Sequence, residues 1–136
     1  MILAVGVKVL LKNKKGKYLI VKRAPSKYKG INSTWDILGG RIRPGSLLID
    51  NLEREVMEES GLRLTSLPRL IGAQDILWYE RNTHVVRLTY IAETDGEPVL
   101  NAQEHVAYRW LDIKAIKNKR KLDVYLKEIL NTVADV

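Results

Sequence analysis

The stretch Gly39-Gly40-Arg41-Ile42-Arg43-Pro44-Gly45-Ser46, continuing through Leu47 to Glu53 into Arg54-Glu55-Val56-Met57-Glu58-Glu59-Ser60-Gly61-Leu62, decides how this chain is read. Its first part holds three glycines and a proline within seven residues, which is the chemistry of a turn. Its second part has a helical period. Leu48, Leu52 and Val56 recur at four-residue steps and make one apolar stripe. Ser46 is placed to act as the N-cap, its hydroxyl accepting from a free backbone N–H. Gly61 stands just past the last turn, where a left-handed cap favours glycine.

The charge on this helix is unusual. Glu55, Glu58 and Glu59 lie at i, i+3 and i+4 and share one side. Like charges at that spacing destabilise a helix by roughly 0.2–0.5 kcal/mol per pair. A solvated acidic face is the ordinary reading of such a cluster. Here it follows a glycine-rich segment in a basic chain, so a cationic partner is expected. Mg²⁺ typically takes one or two carboxylates together with substrate phosphates. Arg54 can hold one of the carboxylates by a charge-assisted bond.

Gly40, Arg54, Glu55, Val56, Glu58, Glu59, Gly61 and Leu62 fall in register with the Nudix box, and the stretch resembles the signature of the Nudix hydrolases. One position departs: Ser46 stands where the family has its first Glu. The resemblance spans nearly the whole chain. It implies a single domain over residues 1–136, an α/β/α sandwich with a mixed central sheet. It also implies a pyrophosphohydrolase that works with Mg²⁺ or Mn²⁺. On this resemblance Glu58 and Glu59 bind metal, Glu55 binds metal or helps deprotonate water, and Gly39 supplies a backbone carbonyl. Arg23, at the end of a strand, matches a basic position set against a substrate phosphate. Glu104, ahead of Tyr108-Arg109-Trp110-Leu111, matches a late acidic residue that adds a metal contact. Trp35 to Leu38 resembles the family's approach to the box, with Leu38 replacing a proline.

Composition sets the outer bounds. A chain of 136 residues suits one domain with a sizeable core. It is 46% hydrophobic and 29% charged, as a water-soluble globular protein is. No apolar run reaches the ~18 residues of a membrane span, and no signal peptide is recognisable. The lack of cysteine excludes disulfides and thiolate metal sites and fits a cytoplasmic protein. The net charge of +7 favours anionic partners, nucleotides foremost and nucleic acid as a less favoured alternative. The basic run Lys117, Lys119, Arg120 and Lys121 reads equally as a solvated helix start. A monomer or homodimer is expected.

Along the chain, residues 2–12 alternate as a strand, with Leu3, Val5, Val7, Val9 and Leu11 on one face and Lys8 and Lys12 on the other. Asn13 to Gly16 turn it into a second strand, Tyr18 to Arg23, so an antiparallel hairpin is expected. Pro25 to Ser33 reads as a loop containing Tyr28 and Gly30, with the Trp35 ring packed under it. Ile71 to Glu80 and Thr83 to Glu93 read as strands, and Asp95-Gly96 as a hairpin turn. Asp112 should cap a short helix. Leu122, Tyr125, Leu126, Ile129, Leu130 and Val133 mark an amphipathic C-terminal helix. His84 has no neighbouring ligand in sequence and is not read as a metal ligand.

These residues point to hydrolysis of a nucleoside diphosphate linked to another moiety. Divalent ions can neutralise the diphosphate and acidify water. Trp78, Tyr79 and Arg87 can line a base pocket by stacking and cation–π contact. Arg43 makes the loop more basic than in many relatives and can touch a substrate phosphate. The serine at position 46 keeps open a second class, a catalytically weak Nudix-fold module that binds nucleotide or RNA.

Overall fold

The computed structural model describes residues 1–25 and 34–133. Most of the loop expected between Pro25 and Ser33, with Tyr28 and Gly30, lies outside them. The elements are β1 (Ile2–Lys12), β2 (Tyr18–Arg23), β3 (Trp35–Asp36), β4 (Leu38–Arg41), α1 (Leu48–Ser60), β5 (Arg69–Trp78), a 3-10 turn (Tyr79–Arg81), β6 (Thr83–Glu93), β7 (His105–Leu111), α2 (Ile113–Lys117) and α3 (Val124–Thr132).

β1 is the spine. It runs parallel to β6 along its whole length, from Ile2 opposite Thr83 to Lys12 opposite Glu93. The central path is β3-β2-β1-β6-β5, with β4 on β1 and β7 on β2. Both faces of β1 are covered. Val7, Val9 and Leu11 pack with Leu52 and Val56 of α1. Leu10 packs on the opposite side with Ile116, Leu126 and Leu130 of α2 and α3. A strand buried on both faces carries an apolar run rather than clean alternation, as Val9-Leu10-Leu11 does. The result is the expected α/β/α sandwich with a mixed sheet. No helix among the described residues is long and apolar enough to cross a membrane.

The expected β1–β2 hairpin exists only at its turn, where Lys12 pairs with Tyr18. Beyond it the two strands part, because β1 takes β4 as a partner from Gly6 to Val9 while β2 pairs with β3 and β7. The chain crosses this fork at Asp36-Ile37. There the Ile37 amide donates to Asp36 Oδ1 at 2.8 Å, and the Lys8 ammonium donates to the Ile37 carbonyl at 3.1 Å. Side chains thus satisfy a buried peptide that leaves the sheet ladder.

Three further expectations are corrected. Gly39 and Gly40 are strand residues rather than turn residues. A Cβ on Gly39, at φ +145°, would overlap the Val7 carbonyl, and one on Gly40 would lie 2.9 Å from the Glu55 carboxyl. Here glycine permits close approach of backbone to backbone and of strand to helix. Asp95-Gly96 turns the chain but makes no hairpin, since β7 pairs with β2 and not with β6. The intervening segment instead crosses behind α1, with the Val99 amide on the Ser60 carbonyl at 2.9 Å. Trp35 belongs to the core beside α3, and the loop expected above its ring falls mostly outside the described residues. Lys119 and Arg109 stand over its ring at 4.6 and 5.7 Å.

The third correction is the cap of α1. Leu47 occupies that position and makes no side-chain cap bond. A turn closed by the Ser46 amide on the Arg43 carbonyl at 2.9 Å delays the helix by one residue. Ser46→Ala should therefore change stability by less than about 0.5 kcal/mol in urea unfolding. A loss near the ~1 kcal/mol of a true cap would contradict this geometry. The other end matches the sequence: Gly61 is left-handed and donates to the Met57 carbonyl at 2.8 Å. Asp112 caps α2 through the Ala115 amide at 2.8 Å.

Candidate active site

A cleft of about 750 Å³ opens where β1 and β2 part, walled by α1 on one side and by β5, β6 and the start of α3 on another. Its acidic wall is Glu55, Glu59 and Glu104; Lys8, Arg23, Arg41 and Arg87 bring cations to the same space. Ile76, Trp78, Val85 and Tyr125 give it an apolar end. Opposite charges lining one cleft suit a ligand that carries both metal and phosphate.

The helical period of α1 sorts the box residues. Glu55 and Glu59, one turn apart, both face the cleft. Glu59 is 3% exposed and accepts from the Gly39 amide at 3.3 Å. Burial pushes its carboxyl up to about 7, and Glu104 and Glu55 add to the rise against Lys8 and the Gly39 bond. Glu58 does not line the cleft and is half exposed. Arg54 lies behind the acids and ties them together, reaching Glu58 Oε2, Glu55 Oε1 and Asn51 Oδ1, each at 3.0 Å. Asn51 in turn accepts from the Arg43 amide at 3.0 Å, which fixes the preceding turn.

The cationic wall has its own support. Asp36 is fully buried and receives Arg23 at 2.5 Å, Arg87 at 3.1 Å and Lys8 at 3.3 Å. Although burial opposes its ionisation, Lys8, Arg87 and Arg23 together hold its carboxyl well below the usual range. Arg87 bonds Asp123 at 3.0 Å as well, and Asp123 caps α3 through the Tyr125 and Leu126 amides. One ion network therefore links β1, β2, β3, β6 and the start of α3.

Of the substrate positions expected from sequence, Arg23, Trp78 and Arg87 line the cleft; Arg43 and Tyr79 do not. Tyr79 is 73% exposed because β5 ends at Trp78 and the chain enters the 3-10 turn. Arg43 sits in the turn before α1, away from the lining. Arg87 is 4% exposed and held by two carboxylates, so it is a wall of the pocket rather than a mobile cation for a base. Lys8, Asp36, Asp123 and His105 were missed. The strand pattern sets Lys8 on the face opposite the apolar residues and does not show that this second face is also covered.

The acidic residues fit a cation. One ligand atom from each of Glu59, Glu104 and His105 lies within 4.8 Å of the others. His105 is 8% exposed, and its Nδ1 is buried with no hydrogen-bond partner. Burial, reinforced by Lys8 and Arg23, lowers its pKa to about 4, so the ring is neutral near pH 7.

These two shifts make a pH prediction. Between about pH 4.5 and 6.5 folded Glu59 holds a proton that the unfolded chain has released, so its contribution to stability falls as pH rises. In the same window folded His105 lacks a proton that the unfolded chain binds, so its contribution rises. The two oppose each other in the metal-free wild type. Glu59→Gln should expose the His105 slope, a gain on the order of 2 kcal/mol from pH 4.5 to 6.5. Unfolding midpoints of both proteins across that range test it; parallel profiles would contradict the paired assignment.

A family model described as NUDIX domain matches residues 2–132. The chain belongs to the NUDIX family. It is a Nudix hydrolase, of the pyrophosphohydrolase type. Solved structures share the fold. The MutT protein of Methanosarcina mazei Go1 aligns with a TM-score of 0.83 at 23% identity, covering 96% of this chain and 91% of that one. The MutT NUDIX hydrolase of Burkholderia pseudomallei aligns at 0.81 and 22%, over 96% and 98%. A NUDIX hydrolase of Nitrosomonas europaea aligns at 0.73 and 25%, over 94% and 85%.

Proposed function

We propose that this Nudix hydrolase cleaves a phosphoanhydride bond in a nucleoside diphosphate linked to another moiety, drawn from the cytoplasmic nucleotide pool, with Mg²⁺ or Mn²⁺. The observation that carries the reading is the cleft whose lining holds Glu55, Glu59 and Glu104 together with Lys8, Arg23 and Arg41. Glu55, Glu58, Glu59 and Glu104, with the Gly39 carbonyl, are the proposed metal ligands. A divalent ion held there supplies charge neutralisation to the diphosphate and acidity to water.

The remaining work falls to the protein's own groups. Arg54 keeps Glu55 and Glu58 oriented through its two short bonds. Arg23 and Lys8, anchored on Asp36, present positive charge to phosphate oxygens without a further loss of side-chain freedom. Trp78 and Tyr125, with Ile76 and Val85, offer a base an apolar and aromatic surface. Either Glu59 or Glu55 accepts the proton of the attacking water in this reading.

The test is a nucleotide panel with Mg²⁺ and Mn²⁺, reading product masses. Turnover should vanish in chelator and return with either ion. Undiminished turnover in chelator would remove the metal from the mechanism. Tight nucleotide binding without any turnover would make the chain the weak binding module that Ser46 left open.

A further inference from the structure

We propose that Glu59, Glu104 and His105 form a mixed nitrogen–oxygen site for a first-row transition-metal dication, with the His105 imidazole as a direct ligand. The proposal rests on the metal-dependent reading of the same cleft and adds to it a ligand that the box does not contain.

Backbone bonds hold the three donors together. The Asn101 amide donates to the Glu59 carbonyl at 3.3 Å, at the last turn of α1. The Asn101 carbonyl accepts from the Glu104 and His105 amides at 3.0 and 2.9 Å. The Glu104 carbonyl accepts from Ala24 at 2.8 Å, just past the end of β2. One residue thus ties the box helix to the start of β7, and the donor pair cannot drift from Glu59 without breaking these bonds. Such support is what a preorganised metal site requires.

The unpartnered Nδ1 then has an explanation. A buried ring nitrogen without a hydrogen bond carries a desolvation penalty. A metal held at that nitrogen would remove it, because a neutral imidazole nitrogen is a good ligand. Mg²⁺ favours all-oxygen, near-octahedral shells. Adding a nitrogen moves preference toward Mn²⁺ and, more strongly, toward Co²⁺ and Ni²⁺ along the Irving–Williams order. His84, the other histidine, is engaged with Asp75 at 2.7 Å and does not line the cleft.

The experiment uses the full chain and metal alone. Pulsed electron paramagnetic resonance of the Mn²⁺-loaded wild type should show nitrogen coupling that changes on ¹⁵N-histidine labelling and persists in His84→Gln. Calorimetric titration of metal-free protein should show Co²⁺ bound more tightly than Mg²⁺. His105→Gln, which keeps a polar group of similar size, should weaken Co²⁺ by about 10–100-fold and Mg²⁺ by less than about threefold. Absence of nitrogen coupling in the loaded wild type overturns the proposal without requiring any variant to fold. So does an equal loss for both ions. If coupling is absent while hydrolysis still needs Mg²⁺, His105 is excluded and the metal-dependent reading stands. Hydrolysis indifferent to chelator overturns both.

Discussion

Asp36→Asn should destabilise the protein by about 3–5 kcal/mol, the usual cost of removing one partner from a buried charge network. Typical domains hold only about 5–15 kcal/mol in total, so the variant should sit near the edge of folding. Asp36 is fully buried and serves three cations. Without its charge they respond differently. Lys8 has its pKa lowered chiefly by burial, with Asp36 the main force opposing that, so it can give up its proton. Arg87 cannot, because a guanidinium stays charged, and it is 4% exposed. Arg23 can turn toward water, being about one-third exposed. Most of the remaining cost therefore falls on Arg87, with Asp123 as its one remaining carboxylate partner among the described residues. Urea unfolding measures the loss. Lys8→Met in the Asp36→Asn background should cost less than Lys8→Met alone, since it removes a buried amine that has lost its carboxylate partner. A loss below about 1 kcal/mol for Asp36→Asn would show that the network contributes little beyond a surface pair.

The same residues show what sequence can carry. α1 and its acidic face were legible because helical period, a capping glycine and the box spacing all agree on one element. β6 and the capped α2 were legible for similar local reasons. The fork between β1 and β2 was not, because hairpin turn chemistry sets only the first pair of residues. What happens beyond depends on β4 competing for β1, which is a long-range choice. Lys8 and Asp36 acquire their roles only through that competition. The single legible hint was a carboxylate between Trp35 and Ile37, in an apolar run of a basic chain. Ser46 failed in the opposite direction. Its residue type suited a cap, but the turn from Arg43 to Ser46 placed the helix start one residue later. His105 gave no signal at all, since its proximity to Glu59 comes from the segment between β6 and β7 crossing α1.

Adjacent glutamates of the box should also differ measurably. Glu59→Gln is expected to reduce kcat by more than about 100-fold, and Glu58→Gln by about 10–100-fold, taking the typical loss for groups that support a metal shell as the reference. The contrast follows from burial. Glu59 is 3% exposed, lines the cleft and shares its space with Glu104 and His105. Glu58 is half exposed, lies off the lining and is held by Arg54. Glu58 can reach a metal only by loosening that bond, whereas Glu59 needs no rearrangement. Glutamine preserves shape and keeps the bond accepted from Gly39, so the fold should survive. Metal-free Glu59→Gln should gain stability above pH 7, because it removes the ionisation of a carboxyl that burial opposes. Lower kcat together with higher metal-free stability is the signature of a residue kept for function at the expense of the fold. Steady-state kinetics at saturating metal, paired with urea unfolding in chelator, reads both quantities. Equal kinetic losses would mean that the two glutamates enter the metal shell on the same footing. A Glu59→Gln protein with near wild-type kcat would remove Glu59 from the reaction.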